Sequence, residues 1–222
     1  MTYHPPLDVY DALQAHFGPQ DWWPGATPLE IMVGSVLTQN TSWKNVEKAI
    51  LNLQQLDLLD IDRLHACHLE ELSEAIRPSG YFRVKAKRLW NLIDFVVRTH
   101  EGDLERMFAT DQATLREQLL GISGIGPETA DKIMLYAGEL PAFVVDTYTA
   151  RVVKRHGWIE PEADYHQLQE YFTGGLPDDV PLFGQYHALI VRVGNQHCST
   201  KAKCEGCPLQ GMLPESGVVE LE

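Results

Sequence analysis

Short helical segments separated by helix-breaking residues are the feature that most limits what this chain can fold into. Apolar residues recur at helical spacing over most of its length, and the segments end near Gly, Pro, Asn or Asp. The predicted helices are 7–17, 28–37, 43–53, 69–76, 84–97, 114–120, 127–137, 147–156, 166–172 and 184–193. Thr27 is a candidate N-cap, with Glu30 three residues further on as in a capping box. Only residues 142–145 suggest a strand, so the predicted fold class is all-α.

The length, composition and apolar runs of the chain indicate the class of protein but not its function. A chain of 222 residues fits one large or two modest domains, and 44% hydrophobic with 22% charged residues is ordinary for a soluble protein. No apolar run approaches the roughly 20 residues that a membrane-spanning helix needs. Because the first residues lack the pattern of a secretory signal, we expect a cytoplasmic location in the cell interior.

The net charge of −13 argues against a nucleic-acid partner, because phosphate binding usually leaves a basic footprint. The basic residues are nevertheless clustered in three groups. These are Arg83, Lys85, Lys87 and Arg88; Arg151, Lys154 and Arg155; and Lys201 and Lys203. A local basic face and an unevenly charged, solvated surface both remain open.

A glycine-rich turn lies between two predicted helices, in the sequence LLGISGIGPETADKIMLYAG. Gly121, Gly124 and Gly126 permit positive φ angles and a tight reversal. We expect the amides of Ile125 and Gly126 and the start of the helix at Pro127 to point outward, as an anion site. A helix–turn–helix without any ligand would explain the glycines equally well.

The wider pattern narrows the choice. The glycine turn is followed by Thr129-Ala130, an apolar helix and then Val144-Val145-Asp146-Thr147. From about residue 22 to residue 208, this resembles the helix-hairpin-helix DNA glycosylase superfamily and its endonuclease III branch. The resemblance implies a hairpin that grips the phosphates of damaged double-stranded DNA, and a catalytic aspartate at Asp146. A fixed carboxylate suits this chemistry, because breaking an N-glycosidic bond builds positive charge on the sugar.

The same resemblance implies two helical domains with a DNA-binding cleft between them. Residues 27–137 would form a six-helix domain with the hairpin. Residues 1–26 and 138–222 would form the second domain, which carries the catalytic aspartate and a cysteine loop. We expect the chain to act as a monomer, with no membrane partner.

Glu128 occupies the position at which bifunctional members of the family carry a lysine nucleophile. A carboxylate cannot form the Schiff base that strand cleavage requires, so a monofunctional enzyme that uses water is predicted, with lyase activity absent or weak. Lys132, one helical turn further on, is a candidate phosphate contact. Glu128 as an ordinary surface residue of the helix is the alternative.

Three tryptophans bear on which base is removed. The WWP and LTQNT segments, with RPSG and KAKRL, resemble the 3-methyladenine DNA glycosylases of the endonuclease III type. That group implies that Trp22 or Trp23 and Trp43 sandwich the flipped base, and aromatic faces attract the positive charge of an alkylated purine. The resemblance also implies that Gln39 fills the gap left in the duplex and that Tyr81 is a wedge. Packing in a core is the alternative for all of them, and Trp43 is larger than the group's usual aromatic residue.

Three cysteines lie close together near the end of the chain, at Cys198, Cys204 and Cys207, with five and two residues between them. Members of the family often hold an iron–sulfur cluster on four cysteines, with six residues in the first interval. The expected fourth position is leucine here, in residues 207–213. An iron–sulfur cluster with a different fourth ligand, a zinc ion with a histidine such as His197, and no metal all remain open.

The leading prediction is therefore a base-excision-repair glycosylase for alkylated purines. A glycosylase for oxidised pyrimidines or mismatched bases is the second interpretation. A catalytically silent protein that binds damaged DNA is the third.

Overall fold

The computed structural model describes residues 4–20 and 25–221, and in these the chain is helical. Its α-helices are α1 (Pro6–Phe17), α2 (Pro28–Leu37), α3 (Trp43–Gln55), α4 (Ile61–Ala66), α5 (Leu69–Ala75), α6 (Phe82–His100), α7 (Leu104–Phe108), α8 (Gln112–Leu120), α9 (Pro127–Lys132), α10 (Thr147–Arg155), α11 (Tyr165–Thr173) and α12 (Val180–Gln196). Short 3₁₀ turns form at Arg77–Ser79 and Gln210–Met212, and α9 continues as a π-helical turn at Ile133–Ala137. The all-α prediction is confirmed.

The expected strand at residues 142–145 is wrong. The segment is extended but has no partner strand, and side chains of α11 bond to its backbone instead. Gln169 donates to the carbonyl of Phe143 at 2.7 Å, and the Val145 amide donates to the Tyr165 hydroxyl at 3.3 Å. Within the described residues, the one β-type pairing is an isolated bridge between Cys198 and Ala202.

Aspartate side chains begin many of the helices, and this accounts for part of the acidic composition. Each accepts a hydrogen bond from a backbone amide of the first turn, which also places a negative charge at the positive end of the helix. The caps are Asp60, Asp103, Asp111, Asp146, Asp164 and Asp179, for α4, α7, α8, α10, α11 and α12. Thr27 caps α2 as predicted, at 3.2 Å from the Glu30 amide, whereas the Glu30 carboxylate accepts from Gln54.

The chain divides into two compact units, one of residues 1–22 and 141–222 and one of residues 23–140. In the first unit, Phe143 stacks on Phe172 with ring centroids 4.2 Å apart, and Phe183 and Tyr186 meet this pair edge-on. In the second unit, α2 is buried along nearly its whole length. None of the helices in the described part of the chain is both long and apolar enough to cross a membrane.

Candidate active site

The hairpin connects α8 to α9 through residues 121–126, and only one of its glycines has a positive φ. Gly124 has φ +97°, whereas Gly121 and Gly126 adopt −70° and −98°, which any residue can adopt. A Cβ atom at Gly124 would lie 2.2 Å from Cγ of Arg88. Gly124 is therefore required both by its backbone conformation and by the arginine packed against it.

The amide of Ile125 faces inward, contrary to expectation. It donates to the carbonyl of Ile122 at 3.0 Å, and the side chain is only 4% exposed. The turn thus uses this donor internally, and Gly126 is the exposed residue at the N-terminus of α9. The candidate anion site is smaller than the sequence suggested.

Gln39 is bonded to the hairpin. Its side-chain amide donates to the Gly124 carbonyl at 3.1 Å and to the Thr129 hydroxyl at 3.0 Å. Its side-chain oxygen accepts from Arg88 at 2.5 Å. The residue expected to fill a gap in DNA thus joins the loop after α2 to the hairpin in this conformation, and Thr129 is buried in that role. The bond from Arg88 to Gln39 was not predicted from the sequence.

Two ion pairs involve α9, one with α8 and one within the helix itself. Asp131 is fully buried and is held by Arg116 of α8 through two bonds of 2.7 and 3.0 Å, which fastens the two helices of the hairpin together. Lys132 donates to Glu128 at 2.6 Å, and its side chain is only 10% exposed. The predicted phosphate contact Lys132 is therefore engaged with Glu128, the residue expected to stand at the lysine position of bifunctional enzymes.

Asp146 lies at the N-terminus of α10 and is half-buried. Its Oδ1 accepts hydrogen bonds from the Thr149 amide at 2.8 Å and from the Thr149 hydroxyl at 3.0 Å. Its Oδ2 lies 3.4 Å from Nε2 of His187, a buried residue of α12. Thr149 thus holds one carboxylate oxygen, and the imidazole of His187 lies against the other. His187 was not among the predicted site residues: a histidine among the apolar residues of a predicted helix marks the position, but not its contact with Asp146.

Two aromatic residues predicted to contact DNA, Trp43 and Tyr81, differ in exposure: Trp43 is half-buried and Tyr81 is exposed. Trp43 begins α3 and packs over Gly34 of α2, where a Cβ atom would lie 3.4 Å from the indole. Tyr81 follows Gly80, has φ +46° and is 72% exposed, which suits a side chain that reaches outward. Trp22 and Trp23 lie outside the described residues.

The predicted basic clusters are partly internal. Lys85 is buried and donates to the carbonyls of Leu37 and Ser79 at 2.9 and 2.7 Å, and burial, with a smaller effect of Arg88, lowers its pKa to about 8. Arg155 donates to the carbonyls of Ser199 and Thr200 at 2.8 and 2.7 Å. These side chains support loops, so they add less to a DNA-binding face than the sequence suggested.

The cysteine loop offers three thiols, and one of them already has a partner in the protein. Arg155 donates to Sγ of Cys198 at 3.4 Å. Among the described residues, no three Cys, His, Asp or Glu side chains are grouped as metal ligands, and the family's fourth position is Leu213. The residues as arranged fit neither a four-thiolate cluster nor a zinc ion.

Comparison with known proteins decides the family. Residues 33–178 match the HhH-GPD superfamily of base excision DNA repair proteins. This chain belongs to that superfamily. It is therefore a DNA glycosylase of base excision repair.

Individual relatives agree with this assignment. A protein of Methanocaldococcus jannaschii named as a DNA repair glycosylase is 46% identical over 91% of this chain and 92% of its own length. The endonuclease III of Thermotoga maritima is 28% identical over 82% of this chain and 81% of its own length. Among solved structures, the 3-methyladenine DNA glycosylase of Helicobacter pylori, bound to 1,N6-ethenoadenine, has a TM-score of 0.76 and 29% identity, covering 87% of this chain and 98% of that one.

Proposed function

We propose that this glycosylase removes alkylated purines from double-stranded DNA by hydrolysis, without cleaving the strand. The observation that carries the proposal is the ion pair between Glu128 and Lys132. The position of the lyase lysine holds a carboxylate, which cannot form a Schiff base. The nearby Lys132 is buried and bonded to that carboxylate, so it is not presented as a free amine.

Hydrolysis then depends on Asp146. The target nucleotide leaves the base stack, which costs a few kcal/mol and favours damaged bases. As the glycosidic bond stretches, positive charge develops on the sugar, and a fixed carboxylate stabilises it. The same carboxylate orients the attacking water or accepts its proton. Because Oδ1 is bonded to Thr149, we assign these interactions to Oδ2.

The preference for alkylated purines is supported by the aromatic residues and by one relative. Trp43, with Trp22 or Trp23, would supply aromatic faces, and such faces attract the positive charge of an alkylated purine. The structure from Helicobacter pylori, at 29% identity, is a 3-methyladenine DNA glycosylase with a modified adenine bound. Similarity to an endonuclease III keeps a different base choice as a testable alternative.

DNA contacts in this proposal come from the hairpin and from Tyr81. The exposed amide of Gly126, at the N-terminus of α9, would meet a phosphate. Gly121 has an exposed backbone at the start of the same turn. Tyr81 would stack on a base beside the gap. Gln39 would act through its bonds to the hairpin unless it leaves them on binding DNA.

The test uses duplexes that carry 3-methyladenine, an oxidised pyrimidine or a mismatched base. We expect release of the methylated purine, with strand breaks that appear only after alkali, and no adduct on treatment with borohydride. Release of oxidised pyrimidine alone would refute the substrate choice, and alkali-independent breaks with a trapped adduct would refute hydrolysis.

Asp146→Asn is the matched variant, because asparagine is as good an N-cap as aspartate but carries no charge. We expect its melting temperature to stay close to that of the wild type while base release falls at least a hundredfold. Asp146→Ala loses both the cap and the charge, and should also lose about 1 kcal/mol of stability. Equal base release by the wild type and Asp146→Asn would place the catalytic group elsewhere. DNA binding with no turnover by the wild type would favour the silent binding protein.

A further inference from the structure

His187 lies against the one carboxylate oxygen of Asp146 that the cap of α10 does not use. Its Nε2 atom is 3.4 Å from Oδ2, an ion-pair distance without hydrogen-bond geometry in this conformation, and the side chain is only 1% exposed. Asp146 itself is 11% exposed in its side chain. A polar ring buried to this degree is costly unless its nitrogen atoms meet suitable partners, and an ionised carboxylate is such a partner.

The packing of α12 on α10 fixes this contact. Gly194 lies seven residues after His187, two helical turns along the same face of α12. A Cβ atom at Gly194 would lie 2.5 Å from the ring of Tyr148 on α10, so the glycine allows the two helices to approach closely. The Tyr148 hydroxyl also donates to Asn195 at 2.7 Å. The imidazole is therefore carried to Asp146 by a rigid helix pair within one unit.

We propose that His187 is a positioning residue for the glycosylase reaction, whose Nε2 atom faces Oδ2 of Asp146 and, by donating its hydrogen to that oxygen during the reaction, holds the carboxylate in one rotamer. This inference rests on the proposed catalytic role of Asp146. An ionised carboxylate only accepts hydrogen bonds, so the ring must carry its hydrogen on Nε2 to make a favourable contact. Thr149 holds one oxygen and His187 the other, and the charge stays aimed at one place while the sugar becomes cationic.

The test compares two substitutions of His187. Gln places an N–H donor close to where Nε2 lies, whereas Met fills a similar volume without any donor. We measure the single-turnover rate of base release and, separately, the dissociation constant for a duplex with a stable abasic analogue. We expect His187→Met to lower the rate roughly 10- to 100-fold with little change in DNA affinity, the range expected when a charged group loses a hydrogen bond. His187→Gln should recover most of that rate.

His156 provides the control for loss of a buried histidine. It belongs to the same unit, is buried, and its Nδ1 bonds to the Val152 carbonyl at 2.7 Å. His156→Gln should lower the melting temperature without lowering the rate per folded molecule. An unchanged rate in His187→Met would refute the inference. Equal rate losses in His187→Met and His187→Gln would refute it as well, since packing alone would then explain both.

A readout without turnover separates this inference from the proposed function. In protein with ¹⁵N-labelled histidine, we expect the His187 signal, identified by its loss in His187→Gln, to report a protonated Nε2 that shifts in Asp146→Asn. A Nε2 without hydrogen would refute the inference, whatever base the enzyme removes. Failure to release alkylated purines would refute the substrate choice and leave this measurement intact.

Discussion

Replacing Glu128 with lysine tests whether this position faces the sugar. The substitution places an amine where bifunctional relatives of the family carry one, and it removes the partner of Lys132, whose side chain is only 10% exposed. We expect Glu128→Lys to form a Schiff base with an abasic site, and the wild type and Glu128→Gln not to form one.

The cost in stability follows from the burial of the two partners. An exposed ion pair contributes about 0–1 kcal/mol to the free energy of unfolding. Removing one partner of a buried ion pair lowers that free energy by about 3–5 kcal/mol. Glu128 is 43% exposed and Lys132 nearly buried, so we expect a loss of about 1–3 kcal/mol. For a chain of this size, that lowers the melting temperature by about 2–12 °C.

The positive charge left on Lys132 also affects the new amine. A lysine with an ordinary pKa near 10.4 is a free amine in only about one molecule in a thousand at pH 7.4. A like charge one helical turn away lowers that pKa, and each unit gives about tenfold more nucleophile. Glu128→Lys with Lys132→Met should therefore trap more slowly than Glu128→Lys alone.

The assay is borohydride trapping on an abasic duplex, read as a protein–DNA band after denaturing electrophoresis. Melting curves establish that each variant is folded at the assay temperature. An adduct in Glu128→Lys no stronger than in Glu128→Gln would mean that residue 128 does not face the sugar, and the argument for hydrolysis from this position would fail.

Three further outcomes are expected. Burial lowers the pKa of Lys85 from 10.5 to about 8, so between these pH values the unfolded chain binds more protons than the folded protein. The free energy of unfolding should therefore rise with pH across that window. Denaturant titrations of Lys85→Met should lack this slope. Gly124→Ala should lower the free energy of unfolding by about 1–2 kcal/mol and weaken binding of abasic DNA. A Cβ atom at Gly126 would meet nothing within 4 Å, so Gly126→Ala should keep the wild-type melting temperature. Arg155→Ala should lower the melting temperature. Treatment with an iron chelator should leave base release unchanged. If base release were lost when iron is removed, the cysteine loop would hold a metal, contrary to our expectation.

The helices were predictable because their signals are local. Thr27 begins α2 by bonding to an amide three residues away, and Pro127 begins α9, so both starts can be read from neighbouring residues. The short helices α4 and α7 were missed because six or five residues are too few to establish a helical period. Residues 142–145 have the composition of a strand, but their backbone bonds to side chains of α11, which no local pattern can reveal.

The candidate site likewise contains residues that could be predicted from local sequence and residues whose roles depend on folding. Glu128, Lys132 and Asp146 could be named because they stand at fixed distances from the glycine turn in sequence. Arg88 and His187 could not, since each acts on a residue about 40 or more positions away, through one contact made by folding. Even for residues that were predicted, their hydrogen bonds were not: the amide of Ile125 bonds to the carbonyl of Ile122 within the turn.

The internal bonds of the basic residues show why net charge is a poor guide to the surface that faces DNA. Lys85, Arg88 and Arg155 look like a phosphate-binding surface in the sequence, yet each donates to groups inside the protein. Several of the acidic residues are likewise engaged as caps, where they face helix N-termini. The net charge therefore includes charged groups that bond to other groups of the protein. For this reason it is a poor measure of the charge on the surface that faces DNA. These side chains instead connect loops to one another. Arg88 bonds to Gln39, which in turn bonds to the hairpin. Lys85 joins the end of α2 to the turn before Tyr81.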